Sequence, residues 1–208
     1  MYVPAHFALS DIHGFLRSHV FAVIAGEIGG TIHFAYAPVV LDRGLGPLGA
    51  IRFHLARANP LANMETGVAL KISVMGPHAY ISPDWYETDA MVPTWNYLAV
   101  EGAGPVRRLG DFELRRLLSD LAAQEESALA PKPQWKMGRV PPARLDVLLT
   151  AIIGFELIFE TLEGKAKLSQ NRAPADVEGA IGGLERRGDA GSLAVAAAMR
   201  KARGGEGA

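Results

Sequence analysis

GPHAYISPDWYETDAMVPTWNY, residues Gly76 to Tyr97, reads as strand, turn and strand with no helical repeat between them. Ala79-Tyr80-Ile81 is a short strand that Ser82-Pro83-Asp84 ends, and one helical turn is expected at Pro83 to Tyr86. Val92-Pro93-Thr94 then leads into a longer strand, Trp95 to Val100. The stretch also holds two Trp, three Tyr and three Pro among its 22 residues, with Ser82, Thr94 and Asn96 between them. That composition is too rigid for a linker and too polar for plain core. The expectation is one wall of a pocket for a flat, polar ligand.

Outward from this stretch the same grammar repeats. Toward the N-terminus, Gly67 to Met75 is a strand with Lys71 at its middle. Asn59-Pro60 starts a short helix, Asn as the cap and Pro in the first turn. Val20 to Ile24 and Thr31 to Leu41 form a hairpin about Gly26 to Gly30, and Pro38 marks its second strand as an edge or a bulge. Ser10 and Asp11 cap a short helix running toward His19. Gly44-Leu-Gly46-Pro-Leu-Gly49 matches the spacing of a dinucleotide-binding turn. However, Pro47 lies inside it and Ala50-Ile51-Arg52-Phe53 after it reads as strand, so a hairpin turn is the better account.

Toward the C-terminus, the strand from Trp95 is expected to return after Gly102 and Gly104. Asp111 caps an amphipathic helix in which Leu114, Leu117, Leu118 and Leu121 keep one face. Pro131 to Pro142 is a rigid connector holding Trp135, and a short helix follows over Ala143 to Thr150. Ile153 to Leu162 alternates as the last strand, and Glu163 to Arg172 reads as a polar loop rich in donors. Helices from Pro174 to Arg187 and from the Asp189 cap through Met199 close the chain, followed by a Gly-rich tail. Six or seven strands with short turns, helices between and after them, and no βαβ alternation give an α+β class, an antiparallel barrel decorated by helices.

Composition sets limits. The chain of 208 residues is 49% hydrophobic and 21% charged, with a formal net charge of −1. It has no global basic field to attract nucleic acid, so DNA would require a local patch or a face created by oligomerisation. The absence of cysteine excludes disulfides and thiolate chemistry and suits a reducing cytoplasm. No signal peptide is evident, and the longest apolar run, Val147 to Phe155, is too short to span a membrane. Nucleophile-elbow and phosphate-loop motifs are absent. His6, His13 and His19 lack the spacing of a helical metal pair.

Binding chemistry remains. A phosphate needs cations, and Arg57, Lys71, Lys167 and Arg172 are candidates, with His54 beside Arg57. A planar heterocycle needs an aromatic face, from Trp85, Trp95 and Tyr97, and polar groups at its edge, Ser82, Thr94, Asn96, Gln170 and Asn171, while Ser169 belongs with Arg172 to the phosphate-binding stretch. The competing account is that these aromatics are core and the polar residues serve turns.

Five blocks occur in order: Met1-Tyr2-Val3-Pro4-Ala5-His6-Phe7, His54-Leu-Ala-Arg-Ala-Asn-Pro60, Gly76 to Pro83 with Trp85-Tyr86, Val92-Pro-Thr-Trp-Asn-Tyr97, and Leu162 to Arg172. Together they resemble the PaiB family of FMN-binding negative transcriptional regulators, across nearly the whole chain. The resemblance implies a split β-barrel like that of pyridoxamine-phosphate oxidase, over residues 1–172. A helical extension over 173–203 and a disordered tail over 204–208 would follow. It also implies FMN as cofactor, a homodimer with FMN at the subunit interface, and repression of genes with DNA as partner. This chain departs from the family pattern in carrying Asp84 in place of Ser, and Glu101 in place of His. The alternative from a different class is a flavin-dependent oxidoreductase acting on a small molecule.

Overall fold

A computed structural model describes residues 1–204. Among the described residues, eight strands and five α-helices follow in order. The first half holds α1 (Ile12–Ser18), β1 (Phe21–Ile28), β2 (Thr31–Pro38), β3 (Val40–Asp42), β4 (Ala50–Ala56) and β5 (Ala69–Ile81). The second half holds β6 (Thr94–Arg108), α2 (Asp111–Ser127), α3 (Pro142–Leu149), β7 (Ile152–Ile158), β8 (Thr161–Lys167), α4 (Pro174–Arg187) and α5 (Ala190–Gly204). The strands hydrogen-bond in the order β2-β1-β5-β6-β7-β4-β3, and β8 pairs with β6. Each pairing with a described register is antiparallel. The α+β antiparallel architecture expected from the sequence is the one observed.

The chain packs as two compact units. The first comprises Met1–Ile12, Met75–Val100 and the chain from Glu163 onward; the second comprises His13–Val74 and Glu101–Leu162. In the second unit β1 and β2 form a hairpin with Ile28 opposite Thr31, closed by Gly29 and Gly30, both at positive φ. A two-residue turn of that hand follows the right-handed strand twist, so the turn is tighter than Gly26 to Gly30. Pro38 ends β2 at the edge of the strand order, where a missing N–H costs nothing. Phe53 and Phe155 stack at 5.6 Å in the core. On α2, Leu114, Leu117 and Leu121 are buried together with Val40. The cap of α2 is Gly110, with Glu113 reaching back to its N–H at 2.9 Å, and Asp111 is the first helical residue. In the first unit α4 and α5 pack Val177, Ala180, Ile181, Leu184, Val195 and Met199 around Ile81 and Leu168.

Several sequence expectations are corrected. The strands expected over Gly67 to Met75 and Ala79 to Ile81 merge into a single 13-residue strand, β5, which begins at Ala69, with Gly67 in the turn before it at positive φ. Pro77 stays within it because proline and the residue before it both favour extended backbone. The strand from Trp95 does not return after Gly102 and Gly104 but runs 15 residues to Arg108. A Cβ on Gly102 would lie 2.4 Å from the Phe159 ring, and one on Gly104 would lie 1.8 Å from the Ile158 carbonyl oxygen. Both glycines therefore permit close packing rather than a turn. The strand expected over Ile153 to Leu162 ends at Ile158, and the residues read as the start of a polar loop form β8. The inward residues of β8 are Gly164 and Ala166, which give no hydrophobic alternation to read. The count is thus eight strands rather than six or seven. Gly204 closes α5, and residues 205–208 of the expected tail lie outside the described residues.

Candidate functional site

The cationic end of the first unit is built by β8 and the turn after it. Period-two alternation puts Gly164 and Ala166 on one face of β8 and Lys165 and Lys167 on the other. Leu168 is buried, and the chain turns at Ser169, a buried serine at φ 65. A non-glycine residue in that region costs energy and needs surrounding support. Asn96, fully buried on β6, supplies some of it: its amide donates to Ser169 Oγ at 3.0 Å and to Met199 Sδ at 3.4 Å. Gln170 staples the same turn, accepting from the Leu168 N–H at 2.7 Å and donating to the Ala166 carbonyl at 2.6 Å. The Arg172 N–H closes it on the Ser169 carbonyl at 3.0 Å.

The turn thereby fixes where the cations stand. The Lys167 ammonium donates to Thr94 Oγ1. Arg172 lies 5.8 Å from the Tyr86 ring and donates to Met91 Sδ at 3.6 Å. Lys165 donates to the Tyr2 carbonyl at 3.1 Å and faces the rings of Tyr2, Phe7 and Tyr97 at 5.6 to 6.0 Å. None of the three forms an ion pair among the described residues. Burial holds the Lys167 ammonium below the usual lysine range, and the positive charges of Lys165 and Arg172 push the same way. Three cations repelling one another, with hydrogen-bonding capacity to spare, fit an anion such as a phosphate monoester.

The aromatic residues divide by role. Trp95 is 51% exposed and stands beside His78 at 6.0 Å and Tyr80 at 6.2 Å, a platform with a free face. Trp85 is seated on α4 instead: a Cβ on Gly183 would lie 2.1 Å from its ring, and one on Gly179 would lie 1.9 Å from its carbonyl oxygen. Ser82 accepts from the Asp84 N–H at 3.3 Å and caps the short turn Pro83–Trp85. The loop after Trp85 is pinned by buried Asp176, which accepts from the N–H groups of Glu87 and Thr88 at 2.9 Å each and from the Thr88 hydroxyl at 2.8 Å. These bonds hold the Asp176 carboxyl below its ordinary range. Asn171 is exposed in the turn.

Ten of the thirteen residues singled out from the sequence therefore lie in the first unit: Ser82, Trp85, Thr94, Trp95, Asn96, Lys167, Ser169, Gln170, Asn171 and Arg172. His54, Arg57 and Lys71 lie in the second. There, His54 on β4 has a buried Nδ1 without a hydrogen-bond partner, and burial lowers its pKa so that the neutral ring is favoured. Arg57 donates Nε to the Thr150 carbonyl at 2.7 Å, and Lys71 is exposed on β5 opposite Ala25. Sequence reasoning placed Lys165 in the donor-rich stretch but not among the candidate phosphate cations. Its spacing of two from Lys167 was the signal, once the segment is recognised as a strand.

The antiparallel α+β scaffold is that of the split-barrel class. The family model FMN_bind_2, "Putative FMN-binding domain", matches residues 1–161. The chain belongs to this family, the FMN-binding PaiB proteins, and FMN is its cofactor. Protease synthase and sporulation protein PAI 2 of Bacillus subtilis is 29% identical over 189 residues, 89% of each chain. An uncharacterized protein of Emericella nidulans is 26% identical, covering 96% of this chain and 95% of its own length. Among solved structures, conserved hypothetical protein Rv2991 from Mycobacterium tuberculosis shares the fold with a TM-score of 0.56 at 11% identity, covering 84% of this chain and 94% of that one. The FAD and heme binding protein from Mycobacterium smegmatis has a TM-score of 0.55 at 14% identity, covering 82% and 78%.

Proposed function

We propose that this protein is an FMN-binding homodimer that acts as a negative transcriptional regulator of the PaiB type. The observation that carries the flavin site is the group of cations Lys167, Arg172 and Lys165, held at a fixed turn with no ion pair among the described residues. In this reading Lys167 and Arg172 take the FMN phosphate, Thr94 orients the Lys167 ammonium, and the free face of Trp95 receives the planar ring. Asn96, Ser169 and Gln170 act one step back, keeping the turn in shape. Bound FMN supplies a redox-active ring whose chemistry is its own; the protein binds and orients it. Riboflavin, which lacks the phosphate, tests the assignment. FMN should bind at least about a hundredfold more tightly, the worth of two charge-assisted contacts. Equal affinities overturn it.

The homodimer rests on a second surface. Phe21 of β1 and Ile32, Phe34 and Tyr36 of β2 are 61 to 67% exposed. The register sets Tyr36 opposite Val23 and Phe34 opposite Ala25, so all four lie on one face of the hairpin. An aromatic patch of that kind on a sheet face marks an interface. Light scattering should give twice the monomer mass, and Phe34→Asp with Tyr36→Asp should give the monomer.

The regulatory role is supported by kinship with the Bacillus protein, whose name concerns protease synthesis and sporulation. DNA contact through the last two helices gains little support from charge. Arg187 pairs with Asp189 at 2.8 Å, Arg200 with Glu185 at 2.9 Å, and Arg203 with Glu178. A gel-shift series across salt on the FMN-loaded dimer is the test. A steep salt dependence at a target promoter supports direct repression, and no shift at any salt overturns it.

A further inference from the structure

A pocket of about 510 Å³ opens in the second unit among α2, α3 and β7. The volume is within the range of small-molecule sites. Its floor is aliphatic, made by Leu109, Leu114, Leu149, Ile152 and Ile153, with no aromatic residue in the lining. The absence of an aromatic face makes it a poor seat for a flavin.

The rim carries four charges, and only two of them satisfy each other: Arg115 and Asp146, at 2.5 Å. Arg57 and Asp111 form no ion pair among the described residues. Arg57 engages the protein through Nε alone, on the Thr150 carbonyl, which leaves the other guanidinium donors for a ligand. Opposite charges that share a pocket without meeting suit a molecule that carries both signs.

The wall formed by α3 is also incomplete. None of its eight residues is buried, and Val147 and Leu148 are 69% and 50% exposed. Val147 and Leu148 lie outside the pocket lining, to which α3 contributes Asp146 and Leu149. A short helix depends on packing rather than on intrinsic propensity, so an occupant seated against Leu149 would steady α3.

The geometry points to a binding site for a free α-amino acid with an aliphatic side chain. Its carboxylate engages Arg57, its ammonium engages Asp111, and its side chain lies on the aliphatic floor. Arg57 thus has a role separate from the flavin, and the site stands or falls independently of Lys167 and Arg172.

The test is calorimetry on the 208-residue chain with L-leucine, its deaminated carboxylic acid, its decarboxylated amine, and glycine. Leucine should bind. Each leucine analogue should bind at least about tenfold more weakly, because a hydrogen bond to a charged group is lost. Glycine, with no side chain for the floor, should not bind. Arg57→Ala should remove the preference for leucine over the amine, and Asp111→Ala the preference over the acid. Hydrogen exchange should slow across residues 142–150 when leucine is bound. No binding of leucine, equal affinity for the deaminated acid, or unchanged exchange in α3 would each overturn the proposal.

Discussion

Substitution of one buried glycine sets two opposing effects against each other. Gly183 lies inside α4, where alanine would ordinarily stabilise the helix by about 1 kcal/mol. Here the added Cβ would stand 2.1, 2.5 and 2.6 Å from three atoms of the Trp85 indole. Ordinary carbon contacts begin near ~3.5 Å, so the ring has to retreat by more than an ångström. It cannot retreat with its own backbone, because the Trp85 carbonyl lies over Gly179, where a Cβ would be 1.9 Å away. Overpacking of this kind costs roughly 2–3 kcal/mol. Net of the helical gain, Gly183→Ala should destabilise by about 1–2 kcal/mol, which for a chain of this size lowers Tm by roughly 2–8 °C. Gly182, one residue earlier, is the control: its Cβ would meet only the mobile end of Arg186 at 3.3 Å. Gly182→Ala should raise Tm by about 2–4 °C. Far-UV circular dichroism on both variants decides the matter. If Gly183→Ala stabilises as much as Gly182→Ala, Trp85 is not seated on α4 as described. Rescue of Gly183→Ala by Trp85→Ala would locate the cost in that contact.

Three further outcomes follow from the same geometry. Gly104→Ala would drive a Cβ into the Ile158 carbonyl oxygen, which sits 1.8 Å away on backbone that cannot swing aside; a loss of roughly 3 kcal/mol is expected, read as a large fall in Tm or as insoluble protein. Asp176→Ala removes three hydrogen bonds to Glu87 and Thr88; Tm should fall by several degrees and a protease should cut the released loop faster, whereas Asp176→Asn should keep much of the order. Lys167 gives a pH dependence with two signs. Its folded-state pKa is lowered, so the unfolded chain binds the proton more tightly. The apoprotein should therefore gain stability as pH rises from that lowered value toward the ordinary lysine value, while FMN affinity falls across the same window. Chemical denaturation and FMN titration over alkaline pH check both, and movement in the same direction would remove Lys167 from the phosphate site.

Much of the local structure was legible in the sequence because its causes are local. Asn59 caps the turn beginning at Pro60 by accepting from the Leu61 N–H at 2.9 Å, and Asp189 caps α5 through the Ser192 N–H at 3.0 Å. Leu114, Leu117 and Leu121 of α2 are buried where their spacing placed them, with Leu118 partly buried beside them. The failures have distant causes. Gly102 and Gly104 look like turn residues, yet they answer to Phe159 and Ile158, more than fifty residues along the chain. β8 carries no alternation of large apolar residues because its inward positions face Leu9 and Ile12 at close range, where a Cβ on Gly164 would be 2.8 Å from Ile12. At the site, composition identified Lys167 and Arg172 as donors. It could not show that Asn96, Ser169 and Gln170 spend their polar atoms on one another and on the turn, since the direction of a polar side chain depends on what packs around it.

The central claim is that the turn from Lys167 to Arg172 holds FMN by its phosphate. The visible spectrum of the purified, dialysed protein after addition of FMN tests it most directly, beside a Lys167→Ala, Arg172→Ala variant of matched thermal stability. Flavin bands that persist in the parent protein and disappear from the variant are the predicted result. A variant that keeps its flavin, or a parent protein that stays colourless, would contradict it.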